Sequence, residues 1–547
     1  MRFPFFALFA LLLFSTFAVA TVDLEPKLIG SSKAVIEITW DIDFNGQRPA
    51  SSSFTSFNFL NTSYQSASFT SSLPFTTKVD EFENNLITFQ LNPALNRQNV
   101  TLTSIVDVTD SRFFEDVSGS MDRYVDNSQY VVITPEISAK ARELIGSEQN
   151  KFKQMAILSA WVYNNVQYDL AYKDRLLPAN EVFQVRKGVC NEFSHLLIAM
   201  ARSVGIPARF SAGYVYSGEI WAAHAWTEVA IDGKWYPFDP TYNEGIVLDA
   251  THFKFANGVD QGDVVEQLSA TGAVDVSKAV LLRLHRISFL ERNNFATPPI
   301  LRVQVSNVTA ASNSVQQVSA MLKSTSNIPV AYPLDLDVPD EVKTLTDRAT
   351  LIYVLPGQEV YANWSVLMPP NLNKSFVYTF SVIVRSLGVS ATSSFQAREG
   401  APVSVSALQV KEVRFKQPDS LSLLIKNSGN TGFSNISVQV TLSNQSYSKV
   451  FSLEAGRESE VLFLLSGANF SQQNQVMVRL TAEDYSFAQS YLLSPVSTQV
   501  PLLPQFNLQT KRAISANSLF DLIYSKWQFI AIILILLVAI ILVKMRS

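Results

Sequence analysis

Lys187-Gly188-Val189-Cys190-Asn191-Glu192-Phe193 holds the only cysteine in 547 residues. Downstream come Ala223-His224-Ala225-Trp226-Thr227-Glu228-Val229 and Gly233-Lys234-Trp235-Tyr236-Pro237-Phe238-Asp239-Pro240-Thr241-Tyr242. A thiol, an imidazole and a carboxylate are the parts of a nucleophilic triad. The thiol attacks, the imidazole takes its proton, and the carboxylate fixes the imidazole tautomer. Taken singly, none of the three is specific. A lone cysteine is usually a buried structural residue, a lone strand histidine is an ordinary one, and an Asp before Pro is a turn residue. Their surroundings carry the reading.

Around Cys190 the pattern is helical. Phe193, Leu196, Leu197, Met200 and Ala201 share one face to Ser203, Gly205 ends the helix and Pro207 prevents continuation. Cys190 then sits at the helix start, where unpaired amides and the positive dipole end favour a thiolate. Upstream, Thr134-Pro135 predicts a capped helix to Ile145, and Met155, Leu158, Trp161 and Val162 predict another over 151–165. Downstream the period changes to two. Residues 208–216, 224–231 and 234–238 read as strands, with Asp232-Gly233 as a hairpin turn. Adjacent antiparallel strands can bring His224 and Asp239 side by side. Helices followed by a strand meander predict an α+β domain over 126–290.

Residues 134–245 resemble the transglutaminase-like superfamily, papain-like in chemistry. The resemblance rests on Trp161 to Tyr168, Pro178-Ala179-Asn180-Glu181-Val182, the Lys187 to Cys190 run, Gly205-Ile206-Pro207-Ala208-Arg209, the His224 strand and Trp235 to Tyr242. It implies a Cys190-His224-Asp239 triad. Family members add a side-chain oxyanion donor from the region before the nucleophile, for which Gln167 and Tyr168 are candidates beside the backbone amide of Cys190. His195, His252 and His285 match no motif and read as structural or surface residues. Four scattered histidines and one cysteine give no metal-ligand pattern, so neither metal nor other cofactor is expected. No acidic loop resembles an EF-hand, so the calcium dependence of animal transglutaminases does not carry over.

Outside this core the chain reads as all-β. In 21–125, Ile36, Ile38, Trp40, Ile42 and Phe44 alternate with polar residues, as do 86–91. Residues 291–398 and 399–500 share features about 100 residues apart. Lys323-Ser324-Thr325-Ser326-Asn327 parallels Lys426-Asn427-Ser428-Gly429-Asn430, and Leu355-Pro356-Gly357-Gln358 parallels Glu454-Ala455-Gly456-Arg457. Two immunoglobulin-like β-sandwiches are expected there.

The ends predict location. Arg2, the apolar run 5–19 and Ala18-Val19-Ala20 read as an export signal over 1–20, with an uncleaved anchor as the competing reading. Residues 526–544 read as one C-terminal transmembrane helix, after a linker over 501–525 and before a cytoplasmic tail over 545–547. The large N-terminal portion would then be extracellular. Eight Asn-x-Ser/Thr sequons, none between 126 and 290, fit glycosylated β arms. A net charge of −4 and pI near 5.8 give no basic footprint, so nucleic acid is not an expected partner. With 47% hydrophobic and 16% charged residues, the chain suits folded domains rather than disorder.

The expected function is a surface-anchored cysteine peptidase or amidase acting on peptide or glutamine amides of extracellular proteins through a Cys190 thioester. Amine transfer, making a protein-crosslinking transglutaminase, is the alternative. Water needs no dedicated site, whereas an amine must be bound and kept ahead of water. Glu192, Glu219 and Glu228 could form an acidic groove for one. A third reading is a non-catalytic adhesion or assembly protein whose β-sandwiches bind surface polymers or glycans.

Overall fold

In the computed structural model, the alternation at Ile36, Ile38, Trp40 and Ile42 becomes the strand Ile29–Asp43, with these four side chains buried. The described residues are 29–109, 114–294, 298–306, 309–399, 408–416, 420–427, 432–442, 445–465, 474–482 and 485–493. The segments read as export signal, linker, membrane helix and tail lie outside them. Among the described residues, no helix is long and apolar enough to cross a membrane.

Ile29–Asp43 lies between Arg97–Val108 and Val280–Asn294, with Gln65–Ser71 completing that sheet. A second sheet runs Gln267–Thr271, Ser51–Asn58, Asn85–Leu91 and Phe75–Val79. Trp40 of the first sheet packs on Phe54 and Phe89 of the second, with ring centroids 5.3 and 6.2 Å apart. This sandwich is therefore built from two separated pieces of chain. Residues 267–294, which the sequence reading assigned up to 290 to the α+β domain of 126–290, supply a strand to each of its sheets. Register forces the exchange. Val280–Asn294 pairs with Ile29–Asp43 along its length, with Ile36 opposite Ile287.

Between these pieces lie four helices: α1 (Pro135–Ile145), α2 (Lys151–Asn165), α3 (Ala179–Val185) and α4 (Cys190–Ser203). Thr134 Oγ1 accepts the Ile137 N–H to cap α1, and Asn150 Oδ1 accepts the Lys153 N–H to cap α2. α4 is buried along nearly its whole length. Gly205 follows it at φ +79°, where an L-residue would be strained. α4 packs on an antiparallel sheet ordered Phe253–Gly258, Ala208–Tyr216, Trp221–Ile231 and Lys234–Asp239. Asp232 and Gly233 both have positive φ, as a tight hairpin of this twist requires.

The sheet does not end there. Lys234–Asp239 pairs with Glu244–Gly245, which pairs with Val330–Asp337 through Gly245 and Ala331. The core sheet thus runs into the next domain, where Tyr378–Ser386 and Val389–Arg398 extend it. A facing sheet contains Ile300–Val305, Val315–Lys323, Glu359–Leu367 and Lys343–Thr344. The last described domain has two sheets around its own core, which includes Leu421, Leu423, Ile425, Val438, Val440 and Val478. The parallel between these two domains is physical at one turn. Gly357 and Gly456 have φ +69° and +70°, Gln358 N–H donates to Leu355 and Arg457 N–H to Glu454. The carbonyls of Gln358 and Arg457 then accept from Ser324 and Asn427.

Candidate active site

Val189 is extended (φ −111°, ψ −168°) and α4 begins at Cys190. The turn is held from inside. Glu192 Oε2 accepts the Val189 N–H at 2.9 Å and Oε1 accepts the Leu177 N–H at 3.1 Å. Glu192 is fully buried, and that burial raises its carboxyl above the usual range despite these bonds. Gly188 is required beside it: a Cβ there would lie 2.3 Å from Glu192 Cβ. Cys190 ends up only 8% exposed.

His224 and Asp239 meet because of strand register. Thr227 sits opposite Phe238, so Asp239 falls one step along, within reach of His224. His224 Nε2 donates to Asp239 Oδ2 at 2.6 Å. Asp239 Oδ1 accepts the Thr241 and Tyr242 N–H groups at 2.7 and 3.4 Å. Burial lowers the proton affinity of the His224 imidazole, but the charge and hydrogen bond of Asp239, with a smaller part from Cys190, raise it to about 9. Burial opposes the charge on Asp239 too. The two imidazoles facing it, His224 and His252, overcome this and hold the carboxyl well below the usual range. With Nε2 on Asp239, Nδ1 is left for the Cys190 sulfur.

The two oxyanion candidates separate. Residues 167–168 pair in parallel with 187–188, locking the segment to the strand before Cys190. Alternation then sends the two side chains to opposite faces. Gln167 is exposed. Tyr168 is half-buried, its phenol raised by burial and by the fields of Cys190 and Asp239. Tyr242, 5.3 Å from the His224 ring, is raised by burial and by the charge of Asp239. Nothing within the Trp235 to Tyr242 run signals this contact of Tyr242 with His224.

Residues 138–240 match the transglutaminase-like superfamily. This stretch is a transglutaminase-like domain. Over 160 residues the chain is 23% identical to kyphoscoliosis peptidase of Mus musculus, covering 27% of this chain and 23% of that protein. An uncharacterised protein of Mycobacterium leprae is 22% identical over 170 residues, covering 29% of this chain and 60% of that one. The chain thus spans less than two thirds of either relative. A crystal structure of a candidate cysteine protease from Cytophaga hutchinsonii overlaps 49% of this chain and 93% of its own, at 21% identity and TM-score 0.38.

The three histidines without motifs differ sharply in their surroundings. His195 is buried against Tyr130 and Phe210, with Nδ1 3.3 Å from the Leu177 carbonyl, and burial lowers it to about 4. His285 Nε2 lies 3.3 Å from the Trp221 carbonyl on an exposed strand. His252, read from sequence as structural or surface, stands on the Asp239 carboxylate: its Nε2 is 3.0 Å from Oδ2. No signal within the His252 segment points to this, because the contact spans two loops.

Two groups, His224–Asp239–His252 and Glu244–Asp249–His252, have side-chain ligand atoms within 4.8 Å of one another. Both His252 nitrogens face protein oxygens, and His224 is engaged by Asp239 and Cys190. The supposed acidic groove also dissolves. Glu192 caps α4. Glu228 is buried with Arg209 at 2.7 Å and Lys254 at 2.8 Å, and these cations outweigh its burial and hold it at about 2. Only Glu219 is exposed.

Proposed function

We propose that this chain is a cysteine hydrolase that cleaves peptide or glutamine amides through a thioester on Cys190. The observation that carries it is the placement of His224 between Asp239 and the sulfur at the N-terminus of α4. The thiolate adds to the amide carbonyl. The resulting oxyanion meets the Cys190 N–H and the Tyr168 phenol, both donors. His224 gives its proton to the leaving amine as the C–N bond breaks, leaving a thioester. A water then transfers a proton to His224 and adds to the thioester, and the C–S bond breaks to give the acid and the resting pair. Burial of Glu192 and Glu228 favours water as acceptor, since an incoming ammonium finds no anionic groove from these residues. A glutamine-containing peptide incubated with excess labelled primary amine should give deamidation or chain cleavage, lost in Cys190→Ala. Predominant Cys190-dependent amine incorporation would establish transfer instead.

We place the catalytic region outside the membrane, on the export signal and the apolar segment 526–544. Asn61, Asn99, Asn373 and Asn435, all within sequons, are exposed. Protease added to intact cells should trim the chain to a small membrane fragment; protection of residues 126–290 would reverse this topology.

A further inference from the structure

Asp239 holds two imidazoles, and the triad uses one. Its Oδ2 accepts from His224 at 2.6 Å and from His252 at 3.0 Å, while Oδ1 takes two backbone N–H groups. The second ring is fixed from its far side. Nδ1 of His252 lies 3.1 Å from the Asp249 carbonyl and 3.3 Å from Asp249 Oδ1. Asp249 is itself tied down: Oδ1 accepts the Thr251 N–H at 2.8 Å and hydroxyl at 2.5 Å, and its own N–H donates to Glu244 Oε2 at 2.9 Å. The atoms facing His252 are therefore a carboxylate oxygen of Asp239, a backbone carbonyl and a carboxyl oxygen of Asp249. A ring nitrogen facing such an oxygen is placed to donate, and both nitrogens of His252 are so placed.

Given the triad chemistry above, on which this rests, we propose that His252 is a permanent buried imidazolium that shares Asp239 with His224, acting as a positioning residue that restrains how tightly His224 holds its proton. The ionisable groups facing the pair come from several elements. They are Asp239 on its strand, Glu244 on the next, Asp249 in the loop, Cys190 on α4, and the phenols of Tyr168 and Tyr242. Asp239 lies between two imidazoles whose ring centroids are 5.6 Å apart, and Asp249 faces His252 from the other side. Each cation opposes protonation of the other. His224 must release its proton to the leaving amine and later recover one from water, so a partner that weakens its grip serves both steps. Without His252, Asp239 would bind the His224 imidazolium alone and hold it more firmly. The carboxylate would also lose one of its two lateral restraints. Burial of His252 is overcome by Asp239 and Asp249, which hold its imidazole well above the usual range.

The test needs no substrate, so it fails separately from the hydrolase reading. Cys190 is the only thiol, so alkylation by iodoacetamide reports one site. His252→Gln keeps a neutral donor toward Asp239 but removes the charge; His252→Asn is too short to reach. Both should move the pH profile of Cys190 alkylation upward by about one to two units. Only the Asn variant should also lose maximal rate, about tenfold. A folded Gln variant with an unmoved profile overturns the proposal. Slow exchange of the imidazole C2 proton, read by mass spectrometry on the wild-type full chain, reports His252 without any substitution. Its pH dependence should show no midpoint between pH 5 and 9, and a midpoint near 6.5 overturns the proposal even if neither variant folds. An alkylation profile unchanged in His224→Ala marks failure of the triad instead.

Discussion

Asp239 is the residue on which most of the local chemistry converges, and its amide variant separates charge from shape. Asp239→Asn keeps the side-chain volume but cannot hold His224 in the donating tautomer, so amide hydrolysis should fall about 10³–10⁴-fold. A loss below tenfold would leave His224 orienting itself without the carboxylate. The wild-type ion pair has a stated range. Because His224 is raised to about 9, it stays protonated through neutral pH and loses its proton as pH climbs through that value. Leaving-group protonation, and with it turnover, should therefore decline above about pH 9; a decline centred near 6.5 would mean an unperturbed imidazole. At pH 6 a free thiol is almost wholly protonated. Iodoacetamide should nevertheless label Cys190 there at least about tenfold faster than a model thiol, with the advantage lost in His224→Ala. His195 works in the opposite direction. Its folded value of about 4 lies below the unfolded 6.5, so the unfolded chain binds the extra proton between them. The stability it contributes is full above 6.5 and is lost as pH falls through about 4, an effect of about 3 kcal/mol. The melting temperature of wild type relative to His195→Phe should fall over that interval; parallel curves would show that the ring is not buried neutral.

At the scale of the element, α4 depends on a carboxylate that touches no substrate. Glu192→Ala would leave the buried Val189 amide and the half-buried Leu177 amide without acceptors. The expected cost is about 2–4 kcal/mol, read from urea unfolding. Because the same bonds set where α4 begins, Cys190 alkylation should slow as well. Unchanged unfolding and alkylation would show that water replaces the cap. Much of this element was legible in the chain. The apolar face from Phe193 to Ala201, with Gly205 and Pro207 beyond, marked α4, and Thr134-Pro135 marked the start of α1. α3 was missed, being seven residues with no side-chain cap, too short for a periodic signal. The roles of Glu192 and Glu228 were not legible for a different reason. Charge in a sequence suggests solvent, and only the fold shows a carboxylate turned inward onto amides or onto Arg209 and Lys254.

Across the whole molecule, the transglutaminase-like domain is inserted into the N-terminal sandwich rather than following it. Gln65, in that sandwich, donates through its amide to the carbonyl of Lys254 and accepts the Lys254 N–H. Asn84 makes the same reciprocal pair with Asn257. A fragment of residues 126–290 alone should aggregate, since Val280–Asn294 loses its partner Ile29–Asp43 and presents an open edge. Co-expression with residues 21–125 should restore soluble material; a monomeric, folded 126–290 fragment would refute the shared sandwich. By itself the sequence determined what local pattern encodes: the cysteine, histidine and aspartate in their motifs, the Thr134 cap, the period-two strands and the Asp232-Gly233 turn. Those signals live within a few residues of one another, where backbone geometry links side-chain spacing to face. Tertiary structure alone decided the return of 267–294 to the first sandwich, the sheet carried through Gly245 into the next domain, and the meeting of His252 with Asp239. Each of these joins surfaces that are separately unremarkable in sequence, because strand pairing and a shared buried carboxylate are set by register and desolvation between distant segments.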